Sequence, residues 1–186
     1  RAKEQGKAQW ALFEPAHGAS VRELAELESD LGKAATQCEL RLAFQPLVEM
    51  TTGTVVGVEA LIRWEHPIWG LLQPGAFIPM AEETGLIEPI GRWVLIKACR
   101  QGRLWQTKYA NPPVISVNLS ACQFQEPGLV ELVGFVLGAT GLDPHLLKLE
   151  ITESAVMADA ARAVDTLKRL KELGVGLAID DFGTGY

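Results

Sequence analysis

Leu146-Leu147-Lys148-Leu149-Glu150-Ile151 and Val175-Gly176-Leu177-Ala178-Ile179-Asp180 are apolar runs of strand length, separated by a helix-period segment from Ala160 to Leu173 that Gly174 closes. A strand–helix–strand unit of this size pairs its strands in parallel through a right-handed crossover. Upstream the same order is present. Val114 to Val117 is an apolar run behind the turn Asn111-Pro112-Pro113. Pro127 to Ala139 reads as a helix opened by proline in its first turn and capped by Gly141. Leu42 to Val48 and the β-branched Thr54 to Ile62 flank Thr51-Thr52-Gly53 and read as two more strands. Pro74 to Thr84 and Ile87 to Gln106 read as helices, the second carrying Ile90, Trp93, Val94, Lys97, Ala98 and Leu104 along one face, with Lys97 the exception. The fold class is therefore α/β, with about five strands.

Ahead of this pattern the chain is polar from Arg1 to about Cys38 and reads as an appendage. Ser20-Val21-Arg22-Glu23 has the spacing of a capping box, and Leu24, Leu27 and Leu31 follow on one side of a helix. That segment, residues 16–38, is expected to be a linker helix packed on one neighbour.

Composition narrows the function. The 186 residues include 17 Lys+Arg and 23 Asp+Glu, a formal net charge of −6, and 48% are hydrophobic, as in a soluble globular domain. Nonspecific DNA or RNA binding needs a basic face, and no Lys/Arg-rich stripe occurs. Gly128 to Leu142, the most apolar stretch, is too short to span a bilayer and is interrupted by Glu131. Nothing near the N-terminus has a signal-peptide core. Cys38, Cys99 and Cys122 are odd in number and scattered, which fits buried thiols in a reducing, cytoplasmic setting.

Four apolar runs end in a side-chain oxygen: Glu59, Asn118, Glu150 and Asp180. Their spacing is one strand–helix unit of roughly 30 residues, or about twice that. In parallel α/β folds the C-terminal strand ends form one rim, where active sites are built. Three carboxylates sharing that rim repel one another unless a cation neutralises them, and oxygen-only donors select Mg²⁺ or Mn²⁺. Asp181 follows Asp180, and Gly183 and Gly185 stop the strand there, so one carboxylate can bridge two ions while its neighbour completes the coordination of the second ion. Taken singly these residues have ordinary readings. Asp180-Asp181-Phe182-Gly183 is turn chemistry, Glu59 a salt-bridged strand residue, Glu153-Ser154 a helix start and Arg63 a surface charge. His66-Pro67 shapes a loop, and Trp64 and Trp69 are packing residues.

Glu59-Ala60-Leu61 with Arg63-Trp64, Gln45-Pro46 before them and His66-Pro67 after them resembles the opening of an EAL domain, the cyclic di-GMP phosphodiesterase family. The order continues through Phe77-Ile78-Pro79-Met80-Ala81-Glu82-Glu83-Thr84-Gly85-Leu86-Ile87, Asn118-Leu119-Ser120, Glu150-Ile151-Thr152-Glu153-Ser154 and Asp180 to Tyr186. The resemblance covers residues 39–186. Residues 1–15 resemble the tail of a GGDEF-like domain, an upstream partner of many EAL domains.

This resemblance implies an incomplete TIM-like (β/α) barrel and a two-metal hydrolysis of cyclic di-GMP to linear pGpG. Glu59, Asn118, Glu150 and Asp180 resemble the ligands of the first metal, and Asp180 with Asp181 those of the second. Arg63 and Gln45 resemble substrate-contacting residues, and Glu153 resembles the glutamate that holds the loop beginning at Asp180. It further implies a homodimer in the complete protein. Phe44 stands where many members carry Tyr. The family's pattern extends beyond Tyr186 to a lysine, a further glutamate and a glutamine, so the chain is expected to be an inactive, self-associating part of a longer enzyme. Two other readings stay open: an EAL-like receptor that binds cyclic di-GMP without cleaving it, and a barrel glycosidase using Glu59 and Glu150.

Overall fold

The computed structural model describes residues 21–157 and 159–180. In chain order the elements are α1 (Val21–Ala34), β1 (Leu40–Val48), β2 (Val55–His66), β3 (Gly70–Leu72), α2 (Pro74–Thr84), α3 (Ile87–Lys108) and β4 (Val114–Leu119). Then come α4 (Ala121–Phe124), α5 (Leu129–Thr140), a 3₁₀ turn (Pro144–Leu146), β5 (Leu147–Thr152), α6 (Glu153–Met157), α7 (Ala160–Glu172) and β6 (Gly176–Asp180).

Six strands form one sheet in the order β1-β2-β4-β5-β6, with β3 added on β2. The pairs β2–β4, β4–β5 and β5–β6 are parallel, each reached through helices, which is the β/α order of a TIM-like barrel. The link from β1 to β2 is too short for a crossover, so these neighbours form a hairpin, closed by Glu49 N–H donating to Thr54 O at 2.9 Å. β3 is the strand beyond the five expected. It pairs antiparallel with Trp64–His66, and that pairing carries β2 past Ile62.

The chain divides into two compact units, the first comprising residues up to Arg41 together with Ile62–Leu86, the second Leu42–Leu61 and the residues from Ile87. In the first, α1 packs on α2 and buries Leu27, Leu31 and Ala34. Trp64, 0% exposed, meets the rings of His66 and Phe77 edge-on at 4.9 and 5.7 Å and donates its indole N–H to Glu39 Oε2 at 3.0 Å. His66 shapes the β2–β3 loop: its Nδ1 accepts from the backbone N–H groups of Ile68 and Trp69 at 3.1 and 3.3 Å.

In the second unit, Ile115, Val117 and Leu119 of β4 and Leu147, Leu149 and Ile151 of β5 are buried on alternate positions. They share a core with Val133, Val136 and Leu137 of α5 and Ile90, Val94, Ala98 and Cys99 of α3. α3 departs from the expected face. Its buried positions run Ile87, Ile90, Val94, Leu95, Ala98, Cys99 and Gly102, and Leu104, on the other side of that turn, is 62% exposed. Gly102 lets α3 approach the sheet: a Cβ there would stand 2.9 Å from Ile115 Cδ1 and 3.1 Å from Leu142 Cδ1. Helix α5 starts later than expected, at Leu129 with Gly128 as its cap, because Leu129 N–H first closes a turn onto Glu126 O. Pro127 therefore precedes the helix. Gly141 ends it at φ 69°.

The cysteines require a correction, since only Cys99 is buried, its thiol pKa pushed up to about 12 by desolvation, while Cys38 and Cys122 are exposed. Cys38 sits at φ 59° in the turn before β1, and Cys122 lies on the one-turn helix α4. Residues 1–15 and the hydroxyl of Ser20 lie outside the described residues.

Two outcomes follow from this packing. Leu149→Ala should cost about 2–5 kcal/mol by chemical denaturation, since Leu149 is fully buried between strand neighbours and helices. Glu131 has its pKa lowered from 4.5, first by its own helix-end backbone N–H and then by Arg169, whose Nη2 donates to it at 2.5 Å. A depressed carboxylate contributes stability above its unfolded pKa and loses it as pH falls through the folded value. The Tm difference between wild type and Glu131→Gln should therefore shrink on acidification below about pH 4.5, read by thermal melts across pH.

Candidate functional site

Period-two alternation decides which side chains share a face. The buried side chains Leu147, Leu149 and Ile151 of β5 put Lys148, Glu150 and Thr152 on the opposite, inner side. Register extends that face across the unit: Glu59 is level with Ser116, Asn118 with Glu150, and Thr152 with Asp180. Glu59, Asn118, Glu150 and Asp180 thus lie on one face of four adjacent strands. They climb diagonally, with Asn118 one same-face position beyond the Glu59 rung and Asp180 one beyond the Glu150 rung. Such stagger is what tilted, sheared strands produce.

The diagonal is closed at one step by a hydrogen bond, Asn118 Nδ2 donating to Glu59 Oε1 at 2.7 Å. Glu59 is interior to β2 and not at its end, as the apolar run had implied, because β2 continues to His66. Its parallel pairing with β4 nevertheless stops at Ala60, so Glu59 stands beside the end of the ladder. Gln45 shares the face. A Cβ on Gly57 would touch Leu47 Cβ at 3.8 Å, which sets Leu47 and, by alternation, Gln45 on the Glu59 side of β1. Phe44 points the other way, its ring 5.1 Å from that of Trp105.

Of the remaining expected residues, two are described. Arg63 belongs to the first unit, where its Nη1 donates to Ile62 O at 2.8 Å. Glu153 opens α6 directly after β5. Asp181 lies outside the described residues. Among the described residues no three His, Cys, Asp or Glu side chains converge as a metal-binding group. What the face offers is a row of oxygen donors, three carboxylates and an amide, with Ser116 beneath them. Ser116 is 0% exposed, and its hydroxyl has no hydrogen-bond partner among the described residues.

The EAL domain family model matches residues 28–186. The bifunctional diguanylate cyclase/cyclic di-GMP phosphodiesterase MucR of Pseudomonas aeruginosa is 48% identical over 185 residues, covering 100% of this chain and 27% of that protein. The oxygen sensor protein DosP of Escherichia coli is 41% identical over 184 residues, 99% of this chain and 23% of that protein. The chain thus spans about a quarter of the length of these curated relatives. A PaMucR phosphodiesterase in complex with c-di-GMP superposes with a TM-score of 0.84 at 50% identity, over 87% of this chain and 65% of that one. The EAL enzyme Bd1971 in its cAMP- and cyclic-di-GMP-bound form gives 0.83 at 32%, over 92% and 47%. These neighbours share the TIM-barrel-like fold.

Sequence reasoning missed the support behind Asn118. Ser120 caps α4 in a capping box: its Oγ accepts from Gln123 N–H at 3.3 Å, and Gln123 Oε1 accepts from Ser120 N–H at 3.1 Å. The Ser-x-x-Gln spacing was the available signal. Gly91 on α3 makes room for it, since a Cβ there would fall 1.6 Å from Gln123 Nε2. Gly91→Ala should displace the Gln123 side chain and break its bond from Ser120 N–H, a cost of about 1 kcal/mol that the better helix propensity of alanine offsets by a similar amount. Chemical denaturation should therefore show Gly91→Ala near neutral in the wild type and stabilising by about 1 kcal/mol in a Gln123→Ala background.

Proposed function

The chain belongs to the EAL domain family, and from that membership we propose that its protein hydrolyses cyclic di-GMP to linear pGpG with two hard divalent cations, Mg²⁺ or Mn²⁺. The observation that carries this reading is the single inner face shared by Glu59, Asn118, Glu150 and Asp180, closed at one end by the Asn118–Glu59 hydrogen bond. Its donor chemistry fits the ions: only oxygens are offered, carboxylates predominate, and no histidine or thiol competes for a softer metal. The buried, unpartnered hydroxyl of Ser116 under the same face is a further polar group in want of a ligand or solvent partner.

In this reading Glu59, Asn118, Glu150, Asp180 and Asp181 hold the ions, which supply charge neutralisation at the phosphoryl and departing oxygens when bound. The chain's own residues fix the geometry. Asn118 leaves one Glu59 oxygen committed to a hydrogen bond and the other available. Gln45 offers an amide to the substrate from the adjoining strand, Arg63 pairs with a substrate phosphate, and Glu153 steadies the segment that begins at Asp180. Among the described residues no helix is long and apolar enough to cross a membrane. The three free thiols support a cytoplasmic, reducing location.

Full-length protein should release pGpG from cyclic di-GMP in Mg²⁺ or Mn²⁺. EDTA should abolish turnover, and Glu59→Gln should lower it by about a hundredfold or more. In the same chromatographic assay residues 1–186 alone are expected to give no appreciable turnover. Cyclic di-GMP binding with no hydrolysis by the full-length protein in either metal would reject the hydrolase and assign a receptor role instead.

A further inference from the structure

One charged group on the inner face has no part in the site as drawn so far. Lys148 stands directly across from Ser116 on one side and Gly176 on the other, and Ser116 stands across from Glu59. A single rung therefore reads carboxylate, hydroxyl, ammonium, glycine. Strands stand about 4.8 Å apart, so the Lys148 backbone is one strand from Ser116 and two from Glu59, and Glu150 follows on the same face about 6.6 Å along β5. Gly176 leaves space for the lysine stem: a Cβ on that glycine would meet Lys148 Cβ and Cγ at 3.4 Å. Lys148 is half-buried, and its ammonium is locked to no carboxylate among the described residues. Of the residues that β2, β4, β5 and β6 contribute to this face of the second unit, it is the only cation, set against the carboxylates of Glu59, Glu150 and Asp180.

We propose that Lys148 is a positioning residue of the site, a counter-cation that eases the repulsion between Glu59 and Glu150 on the inner face when no divalent ion is bound and weakens the hold on such ions when they arrive. The proposal rests on the reading of those carboxylates as a divalent-ion site. Like charges on neighbouring strand positions raise one another's energy, and an ammonium two strands from Glu59 and one same-face position from Glu150 offsets part of that repulsion without a direct ion pair, whereas Asp180, about 14 Å away by the same spacings, lies beyond its reach. The same ammonium repels an incoming dication. Lys148 therefore trades metal affinity for a preformed metal-free site. The small, buried Ser116 between Lys148 and Glu59 keeps the path between ammonium and carboxylate clear of bulk.

The test uses full-length protein carrying Lys148→Met, Lys148→Arg, Glu150→Gln and the Lys148→Met/Glu150→Gln pair. In EDTA, Lys148→Met should lower Tm by a few degrees, and in the Glu150→Gln background most of that loss should disappear. Calorimetric titration with MnCl₂ should show Kd falling roughly three- to tenfold in Lys148→Met, with Lys148→Arg retaining the wild-type values. In a wild type that binds Mn²⁺, an affinity that fails to tighten in Lys148→Met overturns the proposal. So does a Tm loss equally large in both backgrounds, which would assign Lys148 a packing role through its stem. Wild-type protein that takes up no Mn²⁺ sinks the divalent-ion reading instead, and the metal-free cycle with Glu150 then decides on its own whether Lys148 holds the carboxylates.

Discussion

Parallel register between β2, β4, β5 and β6 is the constraint on which the site depends. A slip of one residue in any of these pairs would turn Glu59, Asn118, Glu150 or Asp180 toward the helices and bring an apolar neighbour to the inner face. The register is strongly specified because the opposite faces of β4 and β5 are buried. Ile115, Val117, Leu147, Leu149 and Ile151 are all almost fully excluded from solvent under α3 and α5. The same burial that stabilises the second unit thus aims its polar side chains.

Burial on one face sets an electrostatic cost on the other. Gathering three carboxylates on adjoining strands is unfavourable by itself, and the structure meets part of that cost locally. Asn118 donates to Glu59, and Lys148 contributes a positive charge one rung below Glu150. Behind the strand ends the support is mechanical. The Ser120–Gln123 capping box fixes the turn that follows Asn118, and Gly91 on α3 accommodates the Gln123 side chain. The strand end carrying the Asn118 amide is thereby tied to the longest helix among the described residues.

Much of the fold was legible because hydrophobic period and punctuation agreed. Helix α2 spans the expected Pro74 to Thr84, and β5 and β6 fall within a residue or so of the apolar runs that announced them. Legibility failed where structure depends on a partner distant in sequence. β2 extends past Ile62 only because β3 pairs with it, and Leu104 is exposed because the sheet, through Gly102 and Ile115, decides which side of α3 is inward. Short helix α4 lies below the length at which periodicity carries a signal, although its capping box was in plain view, whereas Glu153-Ser154 did mark the start of α6. Cys38 and Cys122 were misjudged for a related reason: residue type favours burial for cysteine, but a turn at positive φ and a one-turn helix expose it.

By itself the sequence determined the α/β alternation, the parallel sense of the strands and the chemical type of the oxygen-bearing side chains along them, since all three follow from local periodicity and residue identity. Tertiary structure alone decided which donors meet. That Asn118 bonds Glu59 across a diagonal, that Glu150 stands level with Asn118, and that Lys148 and Ser116 form the rung beneath them are consequences of strand register. Register arises from packing between residues far apart in the chain, and no local window of sequence contains it.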